Sequence, residues 1–337
     1  MSTVRGSEAA RRRRLAIGLA LITALAALAG LAAGSEGWSL LRDDPQGAFI
    51  VAEIRAPRTL GAWLTGALFG LGGAIAQGLF RNPLADPFLL GSASGASFAV
   101  VLVLASASLV HTPLSFVDAG WLLRTGIVGA AFVGAFVGVG LTLLLSRGAE
   151  HTTRLLLAGV VVGVVLGALS DLVTNLAPET LRGRQVFVLG TTGFLGWPAC
   201  LLLACALAAT LPPAWRLSRV LDALTLGEDG AASLGIQVGR MRVLLVALLA
   251  LATGAAVAQA GLVAFVGLVS PHLARRFITA THGPQLLASA AIGGALLLVA
   301  DVAARSLIAP AELPVGILTA VLGGFYLLWL LNRPGAR

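Results

Sequence analysis

Residues 11–34 read RRRRLAIGLALITALAALAGLAAG, which is four arginines followed by an uninterrupted apolar run. A helix needs about 20 mostly apolar residues to cross the hydrocarbon core of a bilayer. The run exceeds the ~7–15 apolar residues of a secretory signal peptide. We therefore expect an uncleaved membrane-spanning helix whose basic end lies in the cytosol.

The composition extends this expectation to the whole chain. Of its 337 residues, 58% are hydrophobic and 11% are charged, and the mean hydropathy is +0.94. Such a chain has too little polar material to coat a soluble globule, which excludes an ordinary cytosolic enzyme. All 23 cationic residues are arginines. Without lysine the chain has no P-loop nucleotide site and no Schiff-base chemistry, and we expect it to bind no cofactor.

The apolar runs predict an all-α, polytopic membrane protein with ten transmembrane helices. We expect a single domain over residues 1–337, with a basic cytosolic N-terminus at 1–14 and a cytosolic loop at 214–240. Residues 259–261 are the expected bend between the seventh and eighth runs. The predicted spans are Leu15–Gly34, Leu60–Phe80, Phe88–Val110, Leu122–Leu145, Leu155–Ala177, Phe194–Leu211, Val243–Gly261, Leu262–Ile278, Leu286–Ala304 and Leu313–Leu331.

The arginines predict the orientation of these spans. With both termini inside, 16 arginines fall on inner segments and 7 on outer segments. This asymmetry follows the positive-inside rule and favours an N-in, C-in topology. Membrane insertion thus explains the net charge of +8, which does not imply a nucleic-acid partner.

Two inner segments contain small groups of polar residues. The sequence RNPLADP at 81–87 holds two prolines, which forbid a continuous helix, so it forms either a plain turn or a gate. At the start of the fifth span, Thr152 or Thr153 is interpreted as a helix cap, with a polar constriction formed by both hydroxyls as the alternative.

The inner loop LTLGEDGAASLG at 224–235 predicts a short helix outside the bilayer. Thr225 and Glu228 have the spacing of a capping box, and Gly235 can end the helix. Such an element could bind a cytosolic partner, or it could be a surface loop with local helix.

Several polar or reactive side chains fall within the spans. Asp171 lies with Asn175 in the outer half of the fifth span and is either a pathway residue or interfacial. Asp301 and Arg305 have the i, i+4 spacing of a helical ion pair. The four histidines are scattered, so we expect no metal site. Buried free thiols are expected at Cys200 and Cys205.

A faint internal repeat relates two spans of opposite direction. GGAIAQG at 72–78 matches GAAVAQA at 254–260. An inverted repeat is common in transporters, although Gly- and Ala-rich helices can also resemble each other by chance. With Asp171, the repeat keeps an ion-coupled secondary transporter as an alternative.

An ordered set of motifs resembles the permeases of type II ABC importers. These motifs are RAPRTL at 55–60, QGLFRNPLADP at 77–87, LLLAG at 155–159, FVGLVSPH at 265–272, ADVAAR at 300–305 and ELPVG at 312–316. The resemblance implies a homodimer or a pair with a paralogous permease, two cytosolic ATPase subunits that use ATP and Mg²⁺, and an external substrate-binding protein. It implies a metal-chelate cargo, with iron–siderophore as the first expectation and haem or cobalamin as alternatives.

The same resemblance assigns roles to individual residues, and it makes the chain a transport subunit without catalytic residues. It implies binding-protein docking by Arg55, Arg58 and Arg305, and a pathway along the fifth span near Asp171 and Asn175. The implied cytosolic gate consists of Asn82, Leu84, Thr152 and Thr153. The implied ATPase-coupling residues are Leu224, Leu226, Gly227, Glu228, Ala231, Leu234 and Gly235.

Overall fold

The computed structural model describes residues 2–34, 37–38, 45–109, 121–146, 152–278 and 281–332. Helices dominate these ranges, and two short strands, β1 (Ala33–Gly34) and β2 (Gly37–Trp38), pair antiparallel. The first helices are α1 (Ser2–Ala32), α2 (Pro45–Ile50), α3 (Ala56–Phe80), α4 (Ser92–Leu109), α5 (Trp121–Leu145), α6 (Thr152–Leu176) and α7 (Leu181–Leu189). They are followed by α8 (Trp197–Arg216), α9 (Ser218–Leu224), α10 (Glu228–Ser233), α11 (Val238–Ala260), α12 (Val266–Phe277), α13 (His282–Ser306) and α14 (Val315–Leu331).

Three further turns are helical but not α-helical. A π-helical turn, Val51–Arg55, runs directly into α3, and 3-10 turns occupy Pro87–Leu90 and Pro178–Thr180. The two 3-10 turns lie at the ends of long helices, whereas the π-helical turn joins α2 to α3 within one continuous helical segment, Gly47–Phe80.

Seven helices in the described ranges are long and apolar enough to cross a membrane. Each of the ten predicted runs overlaps a helix, so the all-α prediction is confirmed. Three of those helices, α4, α12 and α14, are shorter than the others. The number of crossings and the N-in, C-in orientation therefore stay predictions. The seven long segments are Arg13–Ala32, Gly47–Phe80, Arg124–Leu145, Thr152–Leu176, Trp197–Arg216, Val238–Ala260 and His282–Ser306.

Helix α3 lies at the centre of the bundle, against α8, α11, α12 and α13. Glycines allow this close packing. A Cβ atom added at Gly66 would collide with the carbonyl oxygen of Gly293 on α13, and one added at Gly73 would collide with that of Gly267 on α12. Backbone contact through small residues is typical of helix association in membranes.

The predicted bend between the seventh and eighth runs is confirmed. Helix α11 ends at Ala260, and Gly261 adopts a positive φ of 71°. A side chain at this glycine would also collide with the carbonyl oxygen of Phe187. The chain then turns through residues 261–265 and enters α12.

Helices α1 and α6 lie at the periphery and expose apolar side chains. On α6 these include Leu157 at 64% and Val164 at 67% exposure, and on α1 they include Leu25 at 66%. One expectation about the spans is wrong in part, since Cys200 is buried but Cys205 is exposed. Five residues rotate the second thiol to another face of α8, where no neighbour in the described chain covers it.

Candidate functional site

The segment after α3 forms a tight reversal held by its own side chains. Arg81 ends the helix in the left-handed conformation, with φ at 50°. The Asn82 Oδ1 atom accepts a hydrogen bond from the Leu84 amide at 2.9 Å. Leu84 is 52% exposed, so the reversal presents an apolar side chain outward.

Asp86 continues this reversal as the N-cap of the 3-10 turn Pro87–Leu90. Its Oδ1 atom accepts a hydrogen bond from the Phe88 amide at 2.8 Å. Burial raises the pKa of the Asp86 carboxyl, and the hydrogen bond from Phe88 opposes that shift. The carboxyl is thus both a structural cap and a group that is costly to ionise.

A single carboxylate connects the start of α6 with the start of α10. The Glu228 Oε1 atom accepts hydrogen bonds from the Thr152 hydroxyl at 3.2 Å and from Arg242 Nη2 at 2.7 Å. Arg242 lies on α11 with only 1% of its side chain exposed, whereas Glu228 is 32% exposed. The structure therefore joins an expected gate residue to an expected coupling residue. Thr153, the other expected gate residue there, is exposed.

The predicted capping box of Thr225 and Glu228 requires correction. Gly227, with φ at 97°, is the N-cap of α10, and no side chain caps that helix. The Thr225 hydroxyl donates to the Asp222 carbonyl at 2.6 Å instead. The capping box is wrong because Glu228 turns toward Arg242, 14 positions away in sequence. The Thr152 hydroxyl, at the start of α6, also donates to Glu228.

Helices α9 and α10 form a compact element with one buried and one exposed side. Leu224 and Ala231 are buried at 3% and 0% exposure. Leu226 and Leu234 project outward at 67% and 63% exposure. Gly235 follows the helix with φ at 79°, which confirms its expected role as a helix stop. The element is fixed to the bundle by its buried side and exposes two leucines on the other side.

This element is also joined to the bundle through α13. The Asp222 Oδ1 atom accepts a hydrogen bond from the His282 amide at 2.9 Å and lies 2.7 Å from His282 Nδ1. Nothing in the local sequence pointed to this contact, because the two residues are 60 positions apart.

At the opposite end of the bundle, Asp301 holds two arginines. The Arg58 Nε atom lies 3.0 Å from Asp301 Oδ1, Arg305 Nη2 contacts Oδ2, and the Thr192 hydroxyl donates to Oδ1. Arg58, Asp301 and Arg305 are 8%, 0% and 2% exposed. The predicted Asp301–Arg305 pair is confirmed, but Arg58, 243 positions away, was missed as a partner.

Two arginines at this end of the bundle, Arg55 and Arg305, bind the C-terminal end of α1. The Arg55 Nη1 atom donates to the carbonyls of Leu31 and Ala32 at 3.0 and 3.1 Å, and Arg305 Nη1 donates to that of Gly30 at 3.0 Å. Cations stabilise a helix C-terminus because its last carbonyls lack partners within the helix. All three expected docking arginines are thus engaged within the chain.

Arg58 retains one outward-facing interaction. Its Nη1 atom lies 2.9 Å from Glu312, whose side chain is 36% exposed. This is the point at which the buried cluster reaches the surface.

Asp171 and Asn175 lie on the exposed side of α6. Asp171 is 62% exposed and pairs with Arg184 on α7 at 2.6 Å. Asn175 donates to the Asp171 carbonyl on its own helix at 3.0 Å. In the described ranges, no group of three His, Cys, Asp or Glu side chains could hold a metal ion.

Comparison with known proteins places this arrangement in context. A family model described as the FecCD transport family matches residues 16–333. The hemin transport system permease protein HmuU of Yersinia pestis is 41% identical over 283 residues, which is 83% of this chain and 82% of the relative. The vitamin B12 import system permease protein BtuC of Salmonella paratyphi A is 37% identical over 339 residues, which is 99% of each chain.

Solved structures give a similar result. The fold matches, with a TM-score of 0.84 and 28% identity, a structure described as an inward-facing conformation of a metal-chelate type ABC transporter. That match covers 96% of this chain and 99% of the other. PsaBC from Streptococcus pneumoniae matches with a TM-score of 0.53 and 18% identity over 82% of this chain and 92% of that one, a likeness of fold alone.

Proposed function

The chain belongs to the FecCD transport family, and from that membership we propose a specific role for it as a permease subunit. It is a permease of the type II ABC importers that carry metal chelates. In the proposed role it crosses a bacterial plasma membrane ten times, with both termini in the cytosol. Membership in this family removes the support for an ion-coupled secondary transporter.

The proposed partners follow from the two ends of the bundle. A second copy or a paralogous permease completes the pathway. The exposed apolar face of α6 supports the placement of α6 along that pathway. Two cytosolic ATPase subunits bind the α9–α10 element through Leu226 and Leu234. This chain binds no cofactor of its own, and the partners use ATP and Mg²⁺.

The observation that carries the proposal is the Glu228 bridge between Thr152 and Arg242. In the proposed mechanism, closure of the ATPase dimer displaces α10. Because Glu228 joins α10 to the start of α6 and to α11, that displacement reaches the pathway helix directly. Rocking of packed helices about such joints is an established route for switching. Asn82, Leu84 and Thr153 complete the cytosolic gate in this proposal.

Docking of the external binding protein is proposed at the Arg58 cluster. One carboxylate of that protein would replace Glu312 as the outer partner of Arg58. The Glu312→Gln variant should therefore bind the protein more tightly, whereas the surface variant Glu179→Gln removes the same charge without touching Arg58. Affinity should also fall as ionic strength rises. Equal affinities of the two variants would contradict docking at Arg58.

The cargo is proposed to be a metal chelate, and haem is the first one to test. The 41% identity to a hemin permease supports haem, and the end-to-end match to a vitamin B12 permease supports cobalamin as the second candidate. The iron–siderophore expectation stays a proposal that neither of these relatives supports.

Uptake by the assembled importer distinguishes the three cargo classes. Vesicles containing the permease, its ATPase and its binding protein would be supplied with haem, cobalamin or a ferric siderophore. The proposal expects ATP-dependent uptake of haem above that of the other two. Uptake of cobalamin or siderophore alone would reassign the cargo, and uptake of none of them would contradict a metal-chelate permease.

A further inference from the structure

We propose that the cleft between α1 and α13 binds an anionic phospholipid of the inner leaflet. The cleft has two connected sections, of about 730 Å³ and about 450 Å³, which share Ile22 and Val299. The proposal goes beyond the transport role and relies only on the membrane orientation given above.

The cleft is apolar along its length and cationic at one end. Leu19, Leu273 and Leu296 are among the side chains that line the larger section. Its two charged lining residues, Arg14 and Arg276, come from α1 and α12. Their neighbours Leu15 and Leu273 pack against the same small hydrophobic cluster, which puts both arginines at the same end. A phospholipid has the same division, since its acyl chains are apolar and its phosphate is anionic.

The dimensions fit one leaflet. The larger section extends along α1 from Arg14 to Ile22, which is about 12 Å at 1.5 Å per residue. One leaflet contributes roughly 15 Å of the ~30 Å hydrocarbon core. An acyl chain entering at Arg14 would therefore end near Ile22, where the outer section begins.

The arginines are available to a ligand in the described part of the chain. Among the ion pairs of that part, none joins Arg14 or Arg276 to a carboxylate. The Arg276 guanidinium lies 5.6 Å from the centre of the Trp329 ring, and tryptophan favours the membrane interface. Two guanidinium groups should bind a lipid headgroup of net negative charge more strongly than a headgroup whose phosphate is neutralised by its own ammonium group.

The cleft also has space that the protein leaves open. A Cβ atom added at Gly18, which lines the larger section, would meet no atom within 4 Å. The Gly18→Leu variant can therefore fill the cleft without a collision. On α5, Gly129 also has no atom within 4 Å of an added Cβ, so Gly129→Leu is its matched control.

Native mass spectrometry of the purified permease tests the proposal. The protein would be equilibrated with equal amounts of phosphatidylglycerol and phosphatidylethanolamine that carry identical acyl chains. We expect retention of phosphatidylglycerol in preference to phosphatidylethanolamine. The double variant Arg14→Gln/Arg276→Gln should lose about fivefold in affinity per arginine, thus roughly 25-fold in all. Arg219→Gln/Arg240→Gln removes two exposed inner arginines away from the cleft and should retain the preference.

Filling the cleft gives an independent result. Gly18→Leu should lose the bound lipid, and Gly129→Leu should keep it. The proposal is overturned if the parent shows no preference, if Arg14→Gln/Arg276→Gln retains the preference, or if Gly18→Leu retains the lipid. A changed dimer fraction in a Gly18→Leu variant that retains lipid would assign the cleft to a protein interface. Because the assay needs neither cargo nor ATPase, failure of the transport role would not affect it.

Discussion

Asp301 is the residue on which the outer end of the bundle depends. Its carboxylate is fully buried and faces two buried guanidinium groups and a hydroxyl. Burial of a lone charge is far more costly than burial of a paired one. The network therefore ties α13, α3 and the end of α1 together as one unit.

Removal of this carboxylate should destabilise the protein severely. The Asp301→Ala variant leaves Arg58 and Arg305 without their shared partner, and we expect a loss of about 3–5 kcal/mol in the free energy of unfolding. Thermal and denaturant unfolding in detergent would measure it. The Glu312→Gln variant at the exposed edge of the cluster should lose less than about 1 kcal/mol. Equal losses for both variants would show that Asp301 does not hold the cluster.

The stability of the protein should also depend on pH through the buried carboxyl of Asp86. The pKa of Asp86 is raised above its ordinary value of 3.8, so folding favours the neutral carboxyl. The contribution of the neutral carboxyl to the free energy of unfolding is therefore complete below pH 3.8. It is lost as the pH rises through the raised pKa. The Asp86→Asn variant keeps a side-chain acceptor for the Phe88 amide but cannot ionise at this position. The variant should match the parent at low pH and become more stable than it at higher pH.

Unfolding of the two proteins across that pH range checks this prediction. Asp86→Ala provides the control, because it loses the cap and cannot ionise either. It should be about 1 kcal/mol less stable than Asp86→Asn at every pH. A constant difference between the parent and Asp86→Asn across the range would contradict the raised pKa.

At the scale of elements, the α9–α10 unit is the most informative part of the chain. Its inner residues fix it to the bundle, and Leu226 and Leu234 are exposed. We propose that the ATPase covers these two leucines, as partners commonly cover apolar patches on protein surfaces. The Glu228 bridge then connects that surface to α6 and α11.

Charges on this surface should abolish ATPase binding without loss of the fold. The Leu226→Asp/Leu234→Asp variant introduces carboxylates where the proposed partner packs, and we expect at least a tenfold loss of ATPase copurification. Membrane insertion and thermal stability should remain near those of the parent. The Gln237→Asp control adds a carboxylate at the N-cap of α11, a favourable position, and should bind normally. Normal binding by the double variant would remove this element from the interface.

The sequence predicted elements well because their signals are local. An apolar run of about 20 residues, or a glycine with positive φ, determines the backbone only within one or two helical turns. The helices and the bend at Gly261 could therefore be predicted from the sequence. Long-range polar pairs have no such signal. The Arg58–Asp301 pair, the Asp222–His282 contact and the Glu228–Arg242 bridge depend on how helices pack, and the capping box failed because that packing gave Glu228 a stronger partner.

At the scale of the whole molecule, the fold and family are established more firmly than the cargo. Motifs near the helix ends identified the family from sequence, since turns and close contacts restrict residue choice there. Cargo contacts leave no comparable pattern. The α6 face that is proposed to line the pathway is largely aliphatic, and its polar members Asp171 and Asn175 already bond within the chain.

The most direct test measures accumulation of haem in sealed vesicles that contain this permease, with and without its ATPase subunits. Because the chain has no lysine for a nucleotide-binding loop, it should move no cargo against a gradient by itself. We predict concentrative uptake only when the binding protein, the ATPase subunits and ATP are all present. Concentrative uptake by the permease alone would contradict the proposed role.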